Sequence, residues 1–462
     1  MKTHAEKTYT RALQWNIRFT TTTGLMVRSG LEGEFTDSSI ERTPDGDLHI
    51  NGYVWSSLLR RALLRLEGGD SIACGIGKYD SVERGVSPLW TEPSFVEMPE
   101  PNVQPGNRID RRYGSAAKGA LFSDETVPPG VPLDLSFTYF LTIEDDAGEI
   151  KKLFAAALRV VDSGIENIGG GWSYGLGRLK LEKEQVFCRK LNLTDQKDRE
   201  VLWCGDNSGY TEMSYSTPVK ILQPWKKYTI NARIPEGQLM AVNTKIPLFA
   251  AYKKYPEYPD TFVYKRFRMN GGKPEAEAVL PGRTIRQALL VSPLERKLRT
   301  IKPDKICGSI AALCGCADCK THRANDRSKS DKDSPNCSCL RCNWFGSTDK
   351  GGIIAVTEAV INGKDNTEII HRIQLCEHSK QNNNLFSGEY LTKGDFTFDI
   401  FIDYSLPEKM PDRLSGEIEG LLKEMMKSDN IPPGWHRIGA TSTCTGQVEI
   451  TGGVKGVLYA EI

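Results

Sequence analysis

The strongest constraint on the fold is an internal repeat. Asn107-Arg-Ile recurs as His371-Arg-Ile, and Leu121-Phe-Ser recurs as Leu385-Phe-Ser. The spacing is constant, because 371 minus 107 and 385 minus 121 both give 264. Similarity at a fixed spacing indicates that one structural unit occurs twice. We therefore expect two related halves.

Each half is predicted to combine strands and helices in one order. Alternating residues predict strands, and apolar residues at helical spacing predict helices. In the first half, the predicted elements are a strand at 11–27, a helix at 54–66, irregular Pro/Gly-rich chain at 69–106, extended chain at 107–139, a helix at 150–161 and a strand at 179–187. This βαββαβ order predicts an α+β, ferredoxin-like (RRM-like) sheet, whose open face commonly receives single-stranded RNA.

The spacing of the repeat also predicts the domain boundaries. A junction near residues 190–222 divides the chain into a first module at 1–205 and a second at 206–462. Ser57 and Thr284 differ by 227, whereas later pairs differ by 264, so the second copy carries an insertion of about 37 residues. We place this insertion at about 303–346.

The insertion contains the clearest metal-binding signal. Cys316 and Cys319 form one CxxC pair, and Cys339 and Cys342 form a second, a pattern typical of a tetrahedral structural zinc site. Cys314 and Cys337 extend the pairs and are alternative ligands, so the ligand set stays open. Four thiolates leave no open coordination position, which excludes a catalytic zinc.

Composition narrows the class of protein. The 462 residues include no apolar run of the roughly 18 residues that span a bilayer, and the N-terminus lacks the apolar core of a signal peptide. We therefore expect a cytoplasmic protein with no membrane partner. A net charge of +1 argues against a uniformly basic nucleic-acid binder but leaves room for a basic groove.

A glycine-rich stretch connects the second predicted helix to the following strand. Residues 168–180 read Ile-Gly-Gly-Gly-Trp-Ser-Tyr-Gly-Leu-Gly-Arg-Leu-Lys. Glycines let the backbone approach a ligand closely and adopt positive φ, so the stretch is suited to hold phosphates. It lacks the strand-to-helix order and the Gly-Lys-Ser/Thr ending of a nucleotide-binding loop, and a tight turn without a ligand is the alternative.

Several motifs together resemble one family. They are Thr23-Gly-Leu, the loop that begins at Asp37, the helix-one turn at 280–289, Arg108-Ile-Asp-Arg-Arg, the segment 339–346 and the glycine-rich stretch. This set resembles the RAMP proteins of CRISPR systems, specifically the backbone subunits of type III effector complexes. Two fused copies are similar to the tandem backbone subunits of type III-D variants. The second glycine stretch, 438–446, has lost most of its glycines.

The resemblance implies that the protein binds CRISPR RNA and cleaves target RNA. In the family, an aspartate after the first strand of each module cuts the target, and the matching positions are Asp37 and Asp260. Such an aspartate would position a hydrated divalent cation, for which we expect magnesium. The alternative is that each aspartate merely caps a turn. Implied partners are CRISPR RNA, target RNA, a large signalling subunit and other RAMP subunits.

The predicted RNA-binding residues are cations near the acidic loops, residues at helix starts, a basic cluster and the glycine-rich stretch. They are Arg28, Arg42, Lys265 and Arg266; Ser56, Ser57, Arg60, Arg61, Arg283, Thr284 and Arg286; Arg108, Arg111 and Arg112; and Gly169, Gly170, Gly171, Trp172, Tyr174, Gly175, Gly177 and Arg178. Helix starts and arginine side chains both favour phosphate.

Two other functions compete with target cleavage. The first is a non-catalytic scaffold that only holds the guide RNA. The second is a guide-processing endoribonuclease of the same superfamily, which would need a histidine as acid or base near the first helix. His49 is the candidate for that role.

Overall fold

The chain folds as a mixed α+β protein with antiparallel sheets. The computed structural model describes residues 8–32, 36–76, 87–97, 99–110, 115–204, 209–213, 218–244, 259–301, 340–346, 351–363, 366–375, 382–426, 435–439, 446–453 and 455–462. No helix within these ranges is long and apolar enough to cross a membrane.

The first half follows the predicted order of elements. Its elements are β1 Arg11–Thr21, β2 Leu48–Ile50, α1 Gly52–Leu64, α2 Gly69–Gly75, β3 Leu89–Thr91, β4 Ser94–Val96, β5 Asn102–Asp110, β6 Ser115–Thr126, β7 Pro132–Leu141, α3 Ala147–Asp162, a 3-10 turn at Trp172–Tyr174, β8 Leu179–Asn192, α4 Gln196–Cys204 and β9 Thr211–Glu212. The stretch predicted as irregular contains α2, β3 and β4. These elements are too short to produce a readable periodicity.

The second half has a similar order. Its elements are β10 Lys220–Ile234, β11 Asn243–Thr244, β12 Phe262–Val263, β13 Lys265–Asn270, β14 Lys273–Leu280, α5 Gly282–Ile285, a π-helical segment at Arg286–Val291, α6 Ser292–Ile301, α7 Leu340–Phe345, β15 Ile354–Val356, β16 Ala359–Val360, β17 Thr367–Leu375, β18 Asn382–Leu391, β19 Gly394–Asp403, α8 Pro411–Met426, β20 Trp435–Arg437, β21 Gln447–Gly452 and β22 Val457–Glu461. A 3-10 turn at Pro407–Lys409 precedes α8.

Both halves contain a sheet with the same arrangement of strands. The first sheet has the order β3-β7-β1-β8-β9, and the second has the order β15-β19-β10-β21-β20, with β22 also paired to β10. In each sheet the N-terminal strand, β1 or β10, lies between the strand after the hairpin, β7 or β19, and a later strand, β8 or β21. This order is the ferredoxin-like one, which agrees with the predicted α+β class. The hairpins β5–β6 and β17–β18 form separate two-stranded sheets.

Aromatic and aliphatic side chains fill the space between sheet and helices. In the first half, Trp15 of β1 stacks on Phe137 of β7 at 4.5 Å and lies 5.0 Å from Phe154 of α3. These three side chains are at most 1% exposed. Helix α1 is capped by a residue next to it in the sequence, because the Asn51 side chain accepts the amide N–H of Tyr53. Burial on one side leaves the opposite side of the sheet for other contacts.

Equivalent hydrogen bonds recur in the two halves. The amide of Glu125 donates to the Ser38 carbonyl at 2.9 Å, and the amide of Glu389 donates to the Thr261 carbonyl at 2.9 Å. The residue numbers of the two donors differ by 264, and those of the two acceptors differ by 223. The two hairpins are therefore attached to the preceding loops by the same backbone contact.

The ends of the two glycine stretches also correspond. Gly169 and Gly439 both have positive φ, and a Cβ atom would lie 2.3 Å from the Met26 carbonyl oxygen at Gly169 and 2.0 Å from the Ala241 carbonyl oxygen at Gly439. The second stretch has lost glycines between its ends, but it has kept the one that this close backbone approach requires.

A buried arginine joins the two halves. Arg65 is 5% exposed and donates to Glu166 at 2.6 Å and to Asp403 at 2.9 Å. Its guanidinium also lies 5.7 Å from the Trp225 ring. Burial acts to raise the pKa of Asp403, but the facing Arg65 charge outweighs it and holds that pKa below its ordinary value. One cation thus pairs a carboxylate of the first half with one of the second.

Asp403→Ala should lower the free energy of unfolding by about 3–5 kcal/mol, because the buried Arg65 charge would lose a partner. Urea unfolding at neutral pH measures this loss. Asp134→Ala is the matched control, since its exposed pair with Arg18 should contribute less than about 1 kcal/mol.

The pH dependence provides a second check on the same pair. A lowered pKa means that the contribution of Asp403 is present above the ordinary carboxylate pKa and lost as the pH falls through the lowered value. The difference between the wild type and Asp403→Ala should therefore shrink in acid. Equal losses in the Asp403 and Asp134 variants would contradict this role.

Candidate nucleic-acid interface

Each candidate aspartate holds the base of a hairpin. The amide of Asp37 donates to the Ser123 carbonyl at 3.0 Å, and Oδ2 of Asp37 accepts the Ser123 amide at 2.7 Å and the Ser123 hydroxyl at 3.2 Å. Asp260 and Ser387 make the same three contacts at 3.0, 2.7 and 3.3 Å. We call this arrangement the aspartate clamp. It brings both predicted aspartates into equivalent surroundings.

The clamp leaves one carboxylate oxygen without a partner. Asp37 and Asp260 are exposed, and Oδ1 of each takes part in no hydrogen bond or ion pair with a residue that the structure describes. An exposed carboxylate oxygen can bind a hydrated divalent cation. The hydrogen bonds to Oδ2 are those expected if each aspartate caps a turn. Only Oδ1 is left to bind a cation.

A glutamate two residues after each serine binds a predicted RNA-contacting cation. Glu125 pairs with Arg42 at 3.0 Å, and Glu389 pairs with Lys265 at 2.8 Å. Both glutamates also accept a backbone N–H from the neighbouring acidic loop. The Arg42 side chain is 35% exposed and that of Lys265 is 16% exposed, so Arg42 is the more accessible to a ligand.

The glycine-rich stretch forms a turn whose outer part is accessible. Gly169 and Gly171 have φ values of 73° and 82°, which glycine adopts without strain. Gly169 and Gly170 are exposed. No hydrogen bond within the described ranges uses the amides of Gly171, Trp172 and Ser173. Three consecutive N–H groups are therefore free to bind an anion.

Two glycines of this stretch serve packing instead. A Cβ atom at Gly175 would lie 2.3 Å from the Thr357 Cα atom, and one at Gly177 would lie 2.0 Å from the Ile168 carbonyl oxygen. Both glycines are buried. The prediction that Gly175 and Gly177 contact RNA is corrected, because protein backbone already occupies the space beside each Cα atom.

Arg178 lies beneath the turn and is 3% exposed. Its guanidinium donates to the carbonyls of Gly164, Ile165 at 2.9 Å and Trp172 at 3.3 Å. Burial lowers its pKa to about 9, although nearby carboxylates act in the opposite direction. The prediction that Arg178 contacts RNA is also corrected, because the side chain holds the turn from inside the protein.

Arg266 requires the same correction. It is 3% exposed and pairs with Glu277 at 2.8 Å and with Glu358. Oε1 of Glu358 also accepts the amide of Gly24 at 2.9 Å, so this second-half ion pair is attached to the first half. The carboxylates of Glu277 and Glu358 neutralise the charge of Arg266, and burial keeps the Arg266 side chain away from a ligand.

A cavity of about 630 Å³ lies beside the exposed turn and is lined by residues of both halves. Arg28 donates to Asp124 Oδ1 at 3.1 Å, and Arg283 donates to Asp124 Oδ2 at 3.2 Å. The Arg283 guanidinium also lies 5.1 Å from the rings of both Phe122 and Tyr174. Two cations share Asp124 here beside aromatic surface, and the carboxylate of Glu41, which lies 2.9 Å from His49, also lines the cavity. We call it the Arg28–Arg283 groove.

Most predicted residues at the helix starts have partners within the protein. The Ser56 hydroxyl is hydrogen-bonded to the Thr91 hydroxyl, and Arg60 donates to the Ala73 carbonyl. Arg61 donates to the Glu166 carboxylate. Arg286 donates to the Phe345 carbonyl, and burial lowers its pKa to about 10. Thr284 is half-buried in α5, and Ser57, although exposed, accepts from Arg61 at 3.0 Å. The cations near these helix starts mainly stabilise local structure, apart from Arg283.

Several predicted residues cannot be placed. Arg111, Arg112, Cys314, Cys316, Cys319, Cys337 and Cys339 lie outside the described residues, as does the side chain of Arg108. Cys342 is described and is 1% exposed in α7, where Trp344 and Phe345 pack into the second core. Among the described residues, no three His, Cys, Asp or Glu side chains are grouped to hold a metal ion.

His49, the candidate for the processing reaction, is engaged in a local pair. Its Nδ1 lies 2.9 Å from Glu41 Oε1, and its ring stacks on Phe95 at 5.1 Å. His49 on β2 is therefore held by the Glu41 carboxylate, which precedes β2, and by the Phe95 ring on β4. No second candidate for a general acid was predicted beside it.

The serines of the clamp, and Asp124 and Phe122 in the groove, were not predicted as functional. The repeated Leu-Phe-Ser was visible as similarity, but nothing in it indicates that its serine faces an aspartate 86 or 127 residues away. The pairing follows from the way the hairpin returns to the acidic loop. Asp124 has no carboxylate counterpart, since Gly388 occupies the equivalent position.

The structure defines a mixed α+β protein with antiparallel sheets and a groove lined by both halves. Residues 18–180 match the model of the RAMP superfamily. This match supports a RAMP protein, and the matched segment contains the first aspartate clamp and the first glycine-rich stretch. No curated protein matches the chain.

Arg178→Met should loosen the glycine turn, because three backbone carbonyls would lose a charged donor. Hydrogen exchange of residues 168–178 should become faster while exchange in β1 stays slow. Lys180→Met is the control, since Lys180 is exposed and pairs only with Asp162 at the surface. Unchanged exchange in the Arg178 variant would contradict its supporting role.

Proposed function

We propose that the chain is an RNA-binding backbone subunit of a type III CRISPR effector complex. In this proposal it consists of two tandem RAMP modules, 1–205 and 206–462, and cleaves guide-paired target RNA at Asp37 and Asp260. The observation that carries the proposal is the aspartate clamp, which recurs with the same three contacts in both halves.

The recurrence of other contacts supports two modules. The two sheets have the same strand order, and the hairpins are attached by the same Glu-to-carbonyl contact. The superfamily match covers the first half, and equivalent structure in the second half extends the interpretation to it. A single module with an unrelated appendage would not repeat the same side-chain contacts in both halves.

The groove would hold the RNA backbone without reading its bases. The free amides of Gly171, Trp172 and Ser173 suit phosphate oxygens, and Arg28 and Arg283 supply positive charge beside them. Aromatic rings stack on any base, since every base has a π-face. A guide sequence must vary, and contacts of this kind tolerate variation.

The hairpins would separate stretches of the guide–target duplex. Ile373 and Leu385 are cross-strand partners in β17–β18 and are 58% and 61% exposed. Two apolar side chains exposed side by side fit an environment between stacked bases better than they fit water. Because Leu385 is two residues from Ser387 of the second clamp, we expect a cut beside the separated step.

The cleavage that we propose is an internal transesterification. The ribose 2′-oxygen forms a bond to the adjacent phosphorus and its proton passes to solvent. The bond to the 5′-oxygen breaks and that oxygen takes a proton from solvent, which leaves a 2′,3′-cyclic phosphate and a 5′-hydroxyl. A hydrated magnesium ion held by Oδ1 of Asp37 or Asp260 would stabilise negative charge on the phosphate. The clamp keeps the carboxylate fixed, and the hairpin positions the phosphate in line.

We also propose a structural zinc site in the insertion, with Cys316, Cys319, Cys339 and Cys342 as ligands and Cys314 and Cys337 as alternatives. Support comes from the two CxxC pairs and from the burial of Cys342 next to the second core. Zinc would tie the first CxxC pair to α7 at the end of the insertion. In the complex, the proposed partners are CRISPR RNA, target RNA, other RAMP subunits and a large signalling subunit.

The decisive variants keep the clamp but remove its charge. Asn at positions 37 and 260 still accepts the serine amide through its carbonyl oxygen, so Asp37→Asn with Asp260→Asn should fold, bind RNA and lose target cleavage by about 100-fold or more. Cleavage of a guide-paired RNA with magnesium present, followed on a denaturing gel, measures this loss.

A matched pair of serine variants separates structure from chemistry. Ser123→Ala with Ser387→Ala removes only the hydroxyl contact to each clamp and keeps the stronger amide contact, so cleavage should stay within about threefold of the wild type. If the asparagine variants cleave normally, the non-catalytic scaffold is the better interpretation.

Arg283→Ala should weaken binding of single-stranded RNA and reduce its salt dependence. Loss of one phosphate contact lowers the slope of log affinity against log salt by about 1. Arg18→Ala is the control, because Arg18 is an exposed arginine paired to Asp134 on the sheet. Equal slopes in both variants would place the RNA elsewhere.

A further inference from the structure

The second hairpin brings a histidine opposite the serine of its clamp. In the β17–β18 pairing, His371 is the cross-strand partner of Ser387, whose hydroxyl donates to Asp260 Oδ2 at 3.3 Å. Opposed residues of an antiparallel pair have Cβ atoms about 4.5–5.5 Å apart and direct both side chains to the same face of the sheet. The His371 side chain therefore lies on the face of the hairpin that carries the second clamp.

His371 also lies between the clamp and the exposed apolar pair of this hairpin. Ile373 and Leu385 come next on the same face and are opposed to each other. His371 is exposed, and its ring takes part in no hydrogen bond or ion pair with a residue in the described ranges. An ionisable side chain is thus available to a ligand at the point where the proposed function brings the separated step of the RNA close to Asp260.

The first hairpin has no ionisable side chain at this position. Ser123 of the first clamp is opposed by Pro105, which can neither accept nor donate a proton through its side chain. The repeat spacing of 264 relates His371 to Asn107, but Asn107 is opposed by Leu121. The pairing of the two hairpins therefore differs by two residues from the sequence repeat. Only the strand register reveals that a histidine faces one clamp and a proline faces the other.

The second clamp by itself lacks a good proton acceptor. A carboxylate is a weak base, and Oδ2 of Asp260 already accepts the amide and the hydroxyl of Ser387. An imidazole is the side chain best matched to proton transfer near neutral pH. Cleavage by a 2′-hydroxyl requires that this hydroxyl lose its proton, so a histidine beside the clamp has a definite use.

We infer that His371 is the general base of the second cut. Its neutral imidazole accepts the proton of the ribose 2′-hydroxyl as the 2′-oxygen bonds to the phosphorus and the bond to the 5′-oxygen breaks. The 5′-oxygen takes a proton from solvent, and the imidazolium returns its proton to solvent, which restores the neutral ring. This inference rests on the cleavage proposed above and makes the two cuts chemically different, because Pro105 cannot do the same at the first clamp.

Charged residues of both signs surround His371. They are Asp260 in the acidic loop, Lys265 on β13, Glu389 on β18, which pairs with Lys265 at 2.8 Å, and, on the opposite face of β17, Glu368 and Arg372.

The first test compares the two cuts within one reaction. The full chain, a guide RNA, magnesium and a paired target RNA are incubated, and the 5′-hydroxyl ends of both cuts are quantified together. His371→Gln should slow the second cut by about 100-fold and leave the first within about twofold, since glutamine is polar but cannot accept the proton. The ratio of the two rates cancels any common loss of folding or RNA binding.

Arg372→Gln is the matched control. Arg372 is the next residue on β17 but belongs to the opposite face, where its guanidinium lies 4.7 Å from the Tyr390 ring. This variant should keep the wild-type ratio of the two cuts, because its side chain is directed away from the clamp.

The pH dependence of the ratio separates proton transfer from a structural role. Histidine changes its charge between about pH 5 and 8, so the rate of the second cut relative to the first should rise severalfold across that range in the wild type. In His371→Gln the ratio should not change with pH. A wild-type ratio independent of pH, or an unaltered ratio in His371→Gln, would overturn the role of His371 while leaving the proposed cleavage intact. A wild type that makes neither cut would overturn both.

Discussion

A carboxylate that accepts two hydrogen bonds from the serine facing it fixes each hairpin to the loop before it. This contact occupies Oδ2 of Asp37 and of Asp260 and leaves Oδ1 of each without a partner among the described residues. The arrangement reconciles two interpretations that look exclusive in the sequence. An aspartate can cap a turn with one oxygen and serve chemistry with the other, because the cap is what holds the free oxygen in place.

The groove next to the first clamp depends on both halves of the chain. Arg28 comes from the first acidic loop and Arg283 from the start of a second-half helix, and Asp124 between them keeps the two guanidinium groups together. Buried ion pairs at Arg65 and at Glu358 hold the surfaces that meet there. The second half of the chain thus contributes Arg283 to a groove that is otherwise lined mainly by the first half.

The sequence predicted the elements that are long and periodic. The strand that begins at Arg11, the helices α1 and α3 and the strand after the glycine stretch all follow from alternation or helical spacing. The family resemblance assigned Asp37 and Asp260 to equivalent loops, and the structure describes equivalent contacts there. The short elements within 69–106 could not be predicted, because three-residue strands obtain their stability from the strands they pair with rather than from their own pattern.

The prediction that Arg178 and Arg266 contact RNA rested on their charge alone, and this was misleading. Both look like RNA contacts because they lie beside predicted binding segments, but their partners are carbonyls and carboxylates brought close only by folding. Glu358, which holds Arg266, is 92 residues away in the chain. Arg28 and Arg283 were predicted for the same reason and do line the groove. Only the fold distinguishes an arginine that supports a binding surface from one that forms it.

The central claim is that two equivalent clamps mark two points along one RNA path. Mapping the 5′-hydroxyl ends of the cleaved target tests this claim most directly, with the wild type and with Asp37→Asn and Asp260→Asn made singly. We predict two cuts at a spacing that does not depend on target sequence, each removed by one variant and kept by the other. A single cut, or two cuts that disappear together in either variant, would contradict it.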